Sequence, residues 1–406
     1  MKTLGYLLFT AFVALSCHKP QNNDMAHEST CDEILQDSII KNTSPIWFYK
    51  TERAYQIANI IPLRTRVFTN YVQNEFSMVW DPLDGKLIRT LGSKVFNQIT
   101  FGKYFTSYGD TVAYLDSNFD YSEYNAIDGT LLFKEDNDKD IEHLIIFDDE
   151  IYCLQNSTFN HARVALIRKK KIGENKSFQN VLIIPLPNPE VNFVVSFEVY
   201  RTDNGAMQLT YEYRADSNKL NLVTYDLSTG NKVWEKEIGE VHSPPVSLFI
   251  LDNQLYYNNA FNSLVQVDKS TGNVNWSSAY FIQGFFKPLK YNDKLIFNFY
   301  ENMVSTIKQI NASDGTLYKS TILCDCFQTN FNLNLVNDYL FTIENGNVIR
   351  VMNLNRPEKS GIIFAPYEDC FSVAGMKEGY GMAVFPNLNY IVGLSNNSFF
   401  CLKYSM

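Results

Sequence analysis

The 406-residue chain is short of the residues and motifs on which most recognisable chemistry rests. It has five histidines, His18, His27, His143, His161 and His242, which are dispersed and never form the H-E-x-x-H pattern of a metalloprotease helix. There is no G-x-S-x-G nucleophile elbow and no G-x-x-x-x-G-K-[ST] phosphate loop. Hydrolase and nucleotide-binding readings that depend on those motifs are therefore removed, although a catalytic set assembled from distant loops is not. Basic charge is also scarce. The net charge is −9, and the only dense basic run is Arg168–Lys171 (RKKK). A phosphate backbone needs a basic face, so nucleic acid is excluded as the main partner. At a predicted hairpin end, the RKKK run reads as solvated charge. The apolar stretch Leu4–Leu15 is too short to cross a membrane comfortably.

Strands are abundant by contrast. The chain holds 30 Phe and 25 Tyr among 45% hydrophobic residues, enough for a large β-rich core. A phrase recurs in which an apolar strand end meets an acidic or polar turn, then Gly, then another strand. It occurs at Met78–Arg89, Tyr124–Phe133, Thr224–Trp234, Gln266–Trp276 and Gln309–Tyr318. The turn glycines are Gly85, Gly129, Gly230, Gly272 and Gly315, with spacings of 44, 42 and 43 where they are consecutive. A fixed period of this size filled with short strands predicts a β-propeller of four-stranded blades.

The gap from Gly129 to Gly230 is 101 residues, room for two blades with a degenerate turn near Lys169–Lys176. Its candidate strands are Ile151–Leu154, Arg163–Arg168 and Val181–Ile184, and Pro185–Pro189 is a connection because proline cannot donate into a central ladder. Downstream, Tyr339–Ile343 and Val348–Leu354 form the next hairpin, followed by a degraded turn at Asn355–Lys359. The last blade holds Tyr380–Phe385, Tyr390–Leu394 and Phe399–Tyr404. The count is eight blades, or seven if the degenerate segments are insertions. The chain ends without a final Gly turn, so the apolar segment Pro45–Lys50 (PIWFYK) is expected to supply the missing strand and close the ring. Trp234 and Trp276 both stand four residues after their glycines, with Phe133 and Arg89 at the same offset. A large flat side chain there is expected to pack between blades.

The phrases at Tyr225–Trp234 and Val267–Trp276 resemble the repeat of the PQQ-like, quinoprotein-type β-propellers. Two groups share that repeat: quinone-dependent alcohol dehydrogenases, and non-enzymatic outer-membrane lipoproteins similar to BamB, a component of barrel assembly. The dehydrogenases typically add vicinal cysteines, a calcium site and long loops over the channel. This chain has no Cys-Cys pair, and blades consume nearly all of its length.

The N-terminus points to export. Met1-Lys2 gives a short positive region, and Ala14-Leu15-Ser16-Cys17 resembles a bacterial lipobox. The expected organisation is a signal peptide over 1–16, a lipidated flexible tether over 17–43 and the propeller over 44–406. Cys17 is the lipid anchor in this reading; a plain secretory leader with a chance cysteine is the alternative. Export permits disulfides. Of Cys31, Cys153, Cys324, Cys326, Cys370 and Cys401, Cys326 and Cys370 stand one blade period apart, and either a pairing or buried thiols fits. No second Cys/His pair lies near Cys324-Asp325-Cys326 to complete a tetrahedral metal site. The acidic run Asp136, Asp138, Asp140 and Glu142 fails the calcium-loop pattern, with Ile141 where Gly belongs and Phe147 where the closing Glu belongs. It reads as a solvated loop.

No catalytic, cofactor-binding or metal-binding residues are nominated, and no cofactor is expected. The expected role is a lipid-anchored, non-enzymatic scaffold for an envelope protein or glycan, with outer-membrane protein assembly as one setting. A quinone-dependent dehydrogenase, or another envelope enzyme with its site on the loops, is the alternative.

Overall fold

The computed structural model describes residues 41–50, 57–71, 76–92, 105–115, 120–136, 141–159, 162–186, 193–214, 219–240, 248–259, 263–282, 287–301, 304–322, 333–344, 348–356, 360–364, 382–394 and 398–405. These residues form eight four-stranded antiparallel sheets arranged as the blades of a propeller. Blades 1 to 7 span 57–92, 105–135, 141–185, 193–240, 248–277, 289–322 and 334–364, each a simple meander. Blade 8 combines Met382–Phe385, Tyr390–Leu394 and Ser398–Ser405 with the N-terminal strand Lys41–Lys50. The N-terminal strand pairs with the last strand from Lys41↔Ser405 to Lys50↔Ser398, so the closure expected of Pro45–Lys50 is present and begins a few residues earlier. First strands of neighbouring blades touch between blades 2 and 3, 3 and 4, 4 and 5, 7 and 8, and 8 and 1, and line the inner side of the ring.

The repeating turn joins the third and fourth strands of a blade. In blade 5, Gly272 N donates to Asp268 O at 2.8 Å, while the Asp268 carboxylate accepts from Ser270 N at 2.8 Å. Asp226, Asn125 and Asp81 play the same part in blades 4, 2 and 1. This turn places Gly272 at φ +72°, in the left-handed region that costs a residue with a Cβ.

A register shift follows the turn in six blades, between Thr224 and Tyr225 in blade 4 for instance, and the closing strand of blade 8 carries one between Pro45 and Trp47. Such a bulge inserts one residue and re-aims the side chain beside it. Here it turns one fourth-strand residue toward the next blade. The core accordingly lies between blades, not within them. One cluster joins Leu220, Leu222 and Trp234 of blade 4 to Leu248, Leu255 and Val267 of blade 5. Another joins Ile60 and Val67 of blade 1 to Ala383, Val392 and Phe399 of blade 8, across the closure. A single blade cannot bury both faces, so each depends on its neighbours.

The degenerate region holds blade 3 as expected, with longer strands than its sequence suggests. The strand expected over Arg163–Arg168 runs Ala162–Lys171, and that expected over Val181–Ile184 runs Gln179–Pro185. The turn between them therefore starts after Lys171, because the lysines continue the ladder with partners described below. Of the Pro185–Pro189 connection, residues 187–189 lie outside the described residues.

Candidate functional site

The bulge residues show how the blades are locked together. Trp234 of blade 4 lies on Gly272 of blade 5, and its Nε1 donates to Lys269 O at 2.7 Å. Trp276 of blade 5 lies on Gly315 of blade 6 and donates to Ala312 O at 3.0 Å. Trp47, on the closing strand, lies on Gly85 of blade 1 and donates to Pro82 O at 3.0 Å. In each seat the carbonyl belongs to the residue three before the glycine. Contact is so close that a Cβ at Gly272 would sit 2.6 Å from Trp234 Cε3. Arg89 covers Gly129 in the same manner. The inter-blade packing expected of Trp234, Trp276 and Arg89 is thus present. Trp47 escaped the sequence pattern because no turn glycine precedes it in its own blade.

Blades 2 and 3 meet differently. Phe133, at the docking offset, lies with the Lys170 ammonium 3.8 Å from its ring centroid. Lys170 is buried and ion-paired with the buried Glu123 of blade 2. Glu123 also accepts from Tyr121 OH at 2.7 Å and Gly173 N at 2.7 Å. Burial lowers the Lys170 pKa and, with the Glu123 charge, raises that of Tyr121 well above its ordinary value. Arg168 bonds Glu135 at 3.1 Å, Gln155 at 3.0 Å and Phe178 O at 3.0 Å. Lys169 pairs with Glu150 at 2.8 Å, and Lys171 is the exposed member, paired with Asp149 at 2.8 Å. The reading of Arg168–Lys171 as solvated charge is corrected at Arg168 and Lys170, which clamp blade 3 to blade 2, while Lys171 keeps it. Burying one of these charges costs several kcal/mol by itself, so the carboxylates brought from blade 2 decide the outcome.

Blades 3 and 4 leave a cleft. By register, Leu182 occupies the docking position of blade 3, paired with Ile167 just before its bulge, as Trp234 is paired with Thr224. Leu182 does not cover the next glycine. A Cβ at Gly230 would meet nothing within 4 Å, and Gly230 is exposed where Gly85, Gly129, Gly272 and Gly315 are buried. The same two blades line a cavity of about 160 Å³. Ile184, Pro185 and Leu186 of blade 3 form one wall, and Tyr211, Tyr213, Val223 and Tyr225 of blade 4 the other. The Tyr211 and Tyr225 rings stack with centroids 6.0 Å apart and planes 19° apart. At the rim, Glu235 accepts from Lys232 at 2.7 Å, Tyr213 at 3.0 Å and Asn221 at 3.1 Å. The Lys232 hydrogen bond holds the Glu235 carboxyl below its usual range, and burial raises the Tyr213 phenol. An aromatic floor with a charged, hydrogen-bonding rim suits recognition of a flat ring.

On the inner wall, Glu198 of blade 4 pairs with Lys287, which precedes blade 6, at 2.7 Å. Burial raises the Glu198 pKa, opposed by the Lys287 charge. The remaining sequence candidates scatter. Cys17, Cys31, Cys324, Cys326 and Cys370 lie outside the described residues, as do Asp138, Asp140, His161 and His242. Asp136 is exposed and pairs with Lys134 at 2.6 Å. Cys153 and Cys401 are buried free thiols, the latter pushed up to about 12 by burial. Among the described residues no group of three His, Cys, Asp or Glu is placed to hold a metal ion.

No protein-family model and no curated protein matches the chain. Solved structures do match its fold. BamB from Moraxella catarrhalis aligns at TM-score 0.53 and 14% identity, over 89% of this chain and 100% of its own. Sqt1 from Saccharomyces cerevisiae aligns at 0.58 and 12%, over 89% and 99%. A quinohemoprotein alcohol dehydrogenase from Pseudomonas putida HK5 aligns at 0.54 and 8%, over 89% and 76%. BamB and the dehydrogenase are PQQ-like propellers, and the chain shares that fold as an eight-bladed ring.

Proposed function

We propose that this chain is a lipid-anchored, non-enzymatic propeller that binds an envelope protein or glycan, held at the outer membrane through Cys17. Outer-membrane protein assembly is the specific setting. The observation that carries this reading is the match to BamB, which spans the whole of that chain, whereas the dehydrogenase match leaves about a quarter of that chain unaligned. The lipobox-like Ala14-Leu15-Ser16-Cys17 supports the anchor, and the cleft between blades 3 and 4 gives the rigid ring a place to bind. Loops on a stiff scaffold are suited to recognition. The dehydrogenase neighbour keeps quinone-dependent oxidation as the second reading.

The anchor is tested by growing cells on labelled palmitate and fractionating their envelopes. The wild-type protein should carry label and sediment with outer membrane. Cys17→Ala should lose the label and leave the membrane fraction. An unlabelled wild type, or a variant that stays equally membrane-bound, would remove the anchor from the account.

A further inference from the structure

We propose that the cleft between blades 3 and 4 is a seat for a tryptophan side chain presented by a partner polypeptide. The inference rests on the ring serving as a binding platform but is independent of the anchor. The chain supplies its own template. Three times, at Gly85, Gly272 and Gly315, an indole lies on the turn glycine and donates its N–H to the carbonyl three residues earlier. The fourth seat has the same parts without the indole. Gly230 adopts φ +70° in the same turn, with Gly230 N donating to Asp226 O at 2.8 Å. The carbonyl three residues before it is that of Leu227, and no side chain donates to it among the described residues. Leu182, which stands where the indoles originate, has neither a ring nor an N–H to offer.

The surroundings favour a ring from outside. Gly230 faces open space, and Tyr225, five residues before it, lines the cavity between blades 3 and 4 with its stacked neighbour Tyr211. Tyr225 corresponds by register to Val267, which packs in the cluster around Trp234. It takes up part of the lost volume and presents an aromatic wall to an incoming ring. Two other places that lack an indole are occupied: Arg89 covers Gly129, and Phe133 lies against the Lys170–Glu123 pair.

This chain has no tryptophan to spare. It has four, of which Trp47, Trp234 and Trp276 fill the three seats, and Trp80 donates to Thr69 Oγ1 at 2.8 Å inside blade 1. A second copy would have to unseat one of its own. The donor is therefore a different polypeptide with an accessible tryptophan, the residue type enriched at the centres of binding hot spots.

The test titrates the purified full-length protein into a capped Gly-Trp-Gly peptide labelled as 5-fluorotryptophan, followed by fluorine NMR. Saturable binding is expected. The N1-methyl analogue cannot donate and should bind about fivefold more weakly, the factor that corresponds to one hydrogen bond. The double substitution Leu182→Trp with Tyr225→Val rebuilds the Trp234–Val267 arrangement in the seat and should abolish binding. If that variant fails to fold by circular dichroism, the N1-methyl comparison decides alone. No saturable binding, equal affinity of the N1-methyl peptide, or undiminished binding to the folded variant would each overturn the seat. Free 5-fluoroindole binding as tightly as the peptide would overturn the polypeptide as its source.

Discussion

Replacing Trp47 by alanine probes the closure of the ring at a single side chain. Trp47 ties the first strand in sequence to blade 1 through its bond to Pro82 O at 3.0 Å and its contact with Gly85. Its ring also packs against Phe399, with centroids 5.1 Å apart. A Trp→Ala change in a packed site costs about 3–5 kcal/mol, and Trp47 is only half-buried, so the lower figure applies. The unfolding entropy is about 2.1 cal/mol/K per residue, which for a ring of this length gives roughly 0.8 kcal/mol/K and a Tm lowered by roughly 4 °C. Scanning calorimetry reads this, provided the transition is single and reversible. Lys86→Ala, on the exposed part of the same turn, should leave Tm unchanged. A Trp47→Ala protein melting within about 1 °C of wild type would refute the closure as a load on this residue.

Three further outcomes follow from named contacts. Lys170→Met strands the buried Glu123 carboxylate and should cost about 3–5 kcal/mol in urea unfolding, against less than about 0.5 for Lys171→Met at the surface. Gly230→Ala should cost about 1–2 kcal/mol for its positive φ alone, while Gly272→Ala adds a clash with Trp234 and should cost about 1–3 kcal/mol more by the same measurement. Burial raises the Glu198 pKa, so the folded state holds that proton more tightly than the unfolded chain. Its stabilising effect is present below the ordinary carboxylate range and fades as pH rises through the raised value. Lys287→Met removes the opposing charge, so it should raise the Glu198 carboxyl titration seen by carbon-13 NMR and deepen the loss of stability toward neutral pH.

The blade repeat was legible because its signal is local. A turn such as Asp268–Gly272 is built from residues within five positions, and each type is required by the backbone it forms. The inter-blade packing of Trp234 and Trp276 was legible as an offset within one repeat, but its seat on the next blade's glycine was not. The role of Arg168–Lys171 was not, because its meaning depends on carboxylates in another blade. Lys170 and Glu123 are 47 residues apart, and nothing near the run announces the pairing. The open seat at Gly230 was hidden for a related reason. Blade 3 has a longer turn, so counting four residues from Gly173 reaches Ser177, whereas the hydrogen-bonded register puts Leu182 in the docking position. A cavity is a difference between two neighbouring surfaces, and a pattern within either one does not contain it.

The most direct test of a binding ring against a quinone enzyme is an absorbance spectrum and melting curve of the purified protein, with and without quinone cofactor plus calcium. The account predicts no cofactor absorbance and an unchanged Tm. A quinone spectrum, or a Tm that climbs with cofactor concentration as mass action requires of a ligand that binds the folded state, would contradict it.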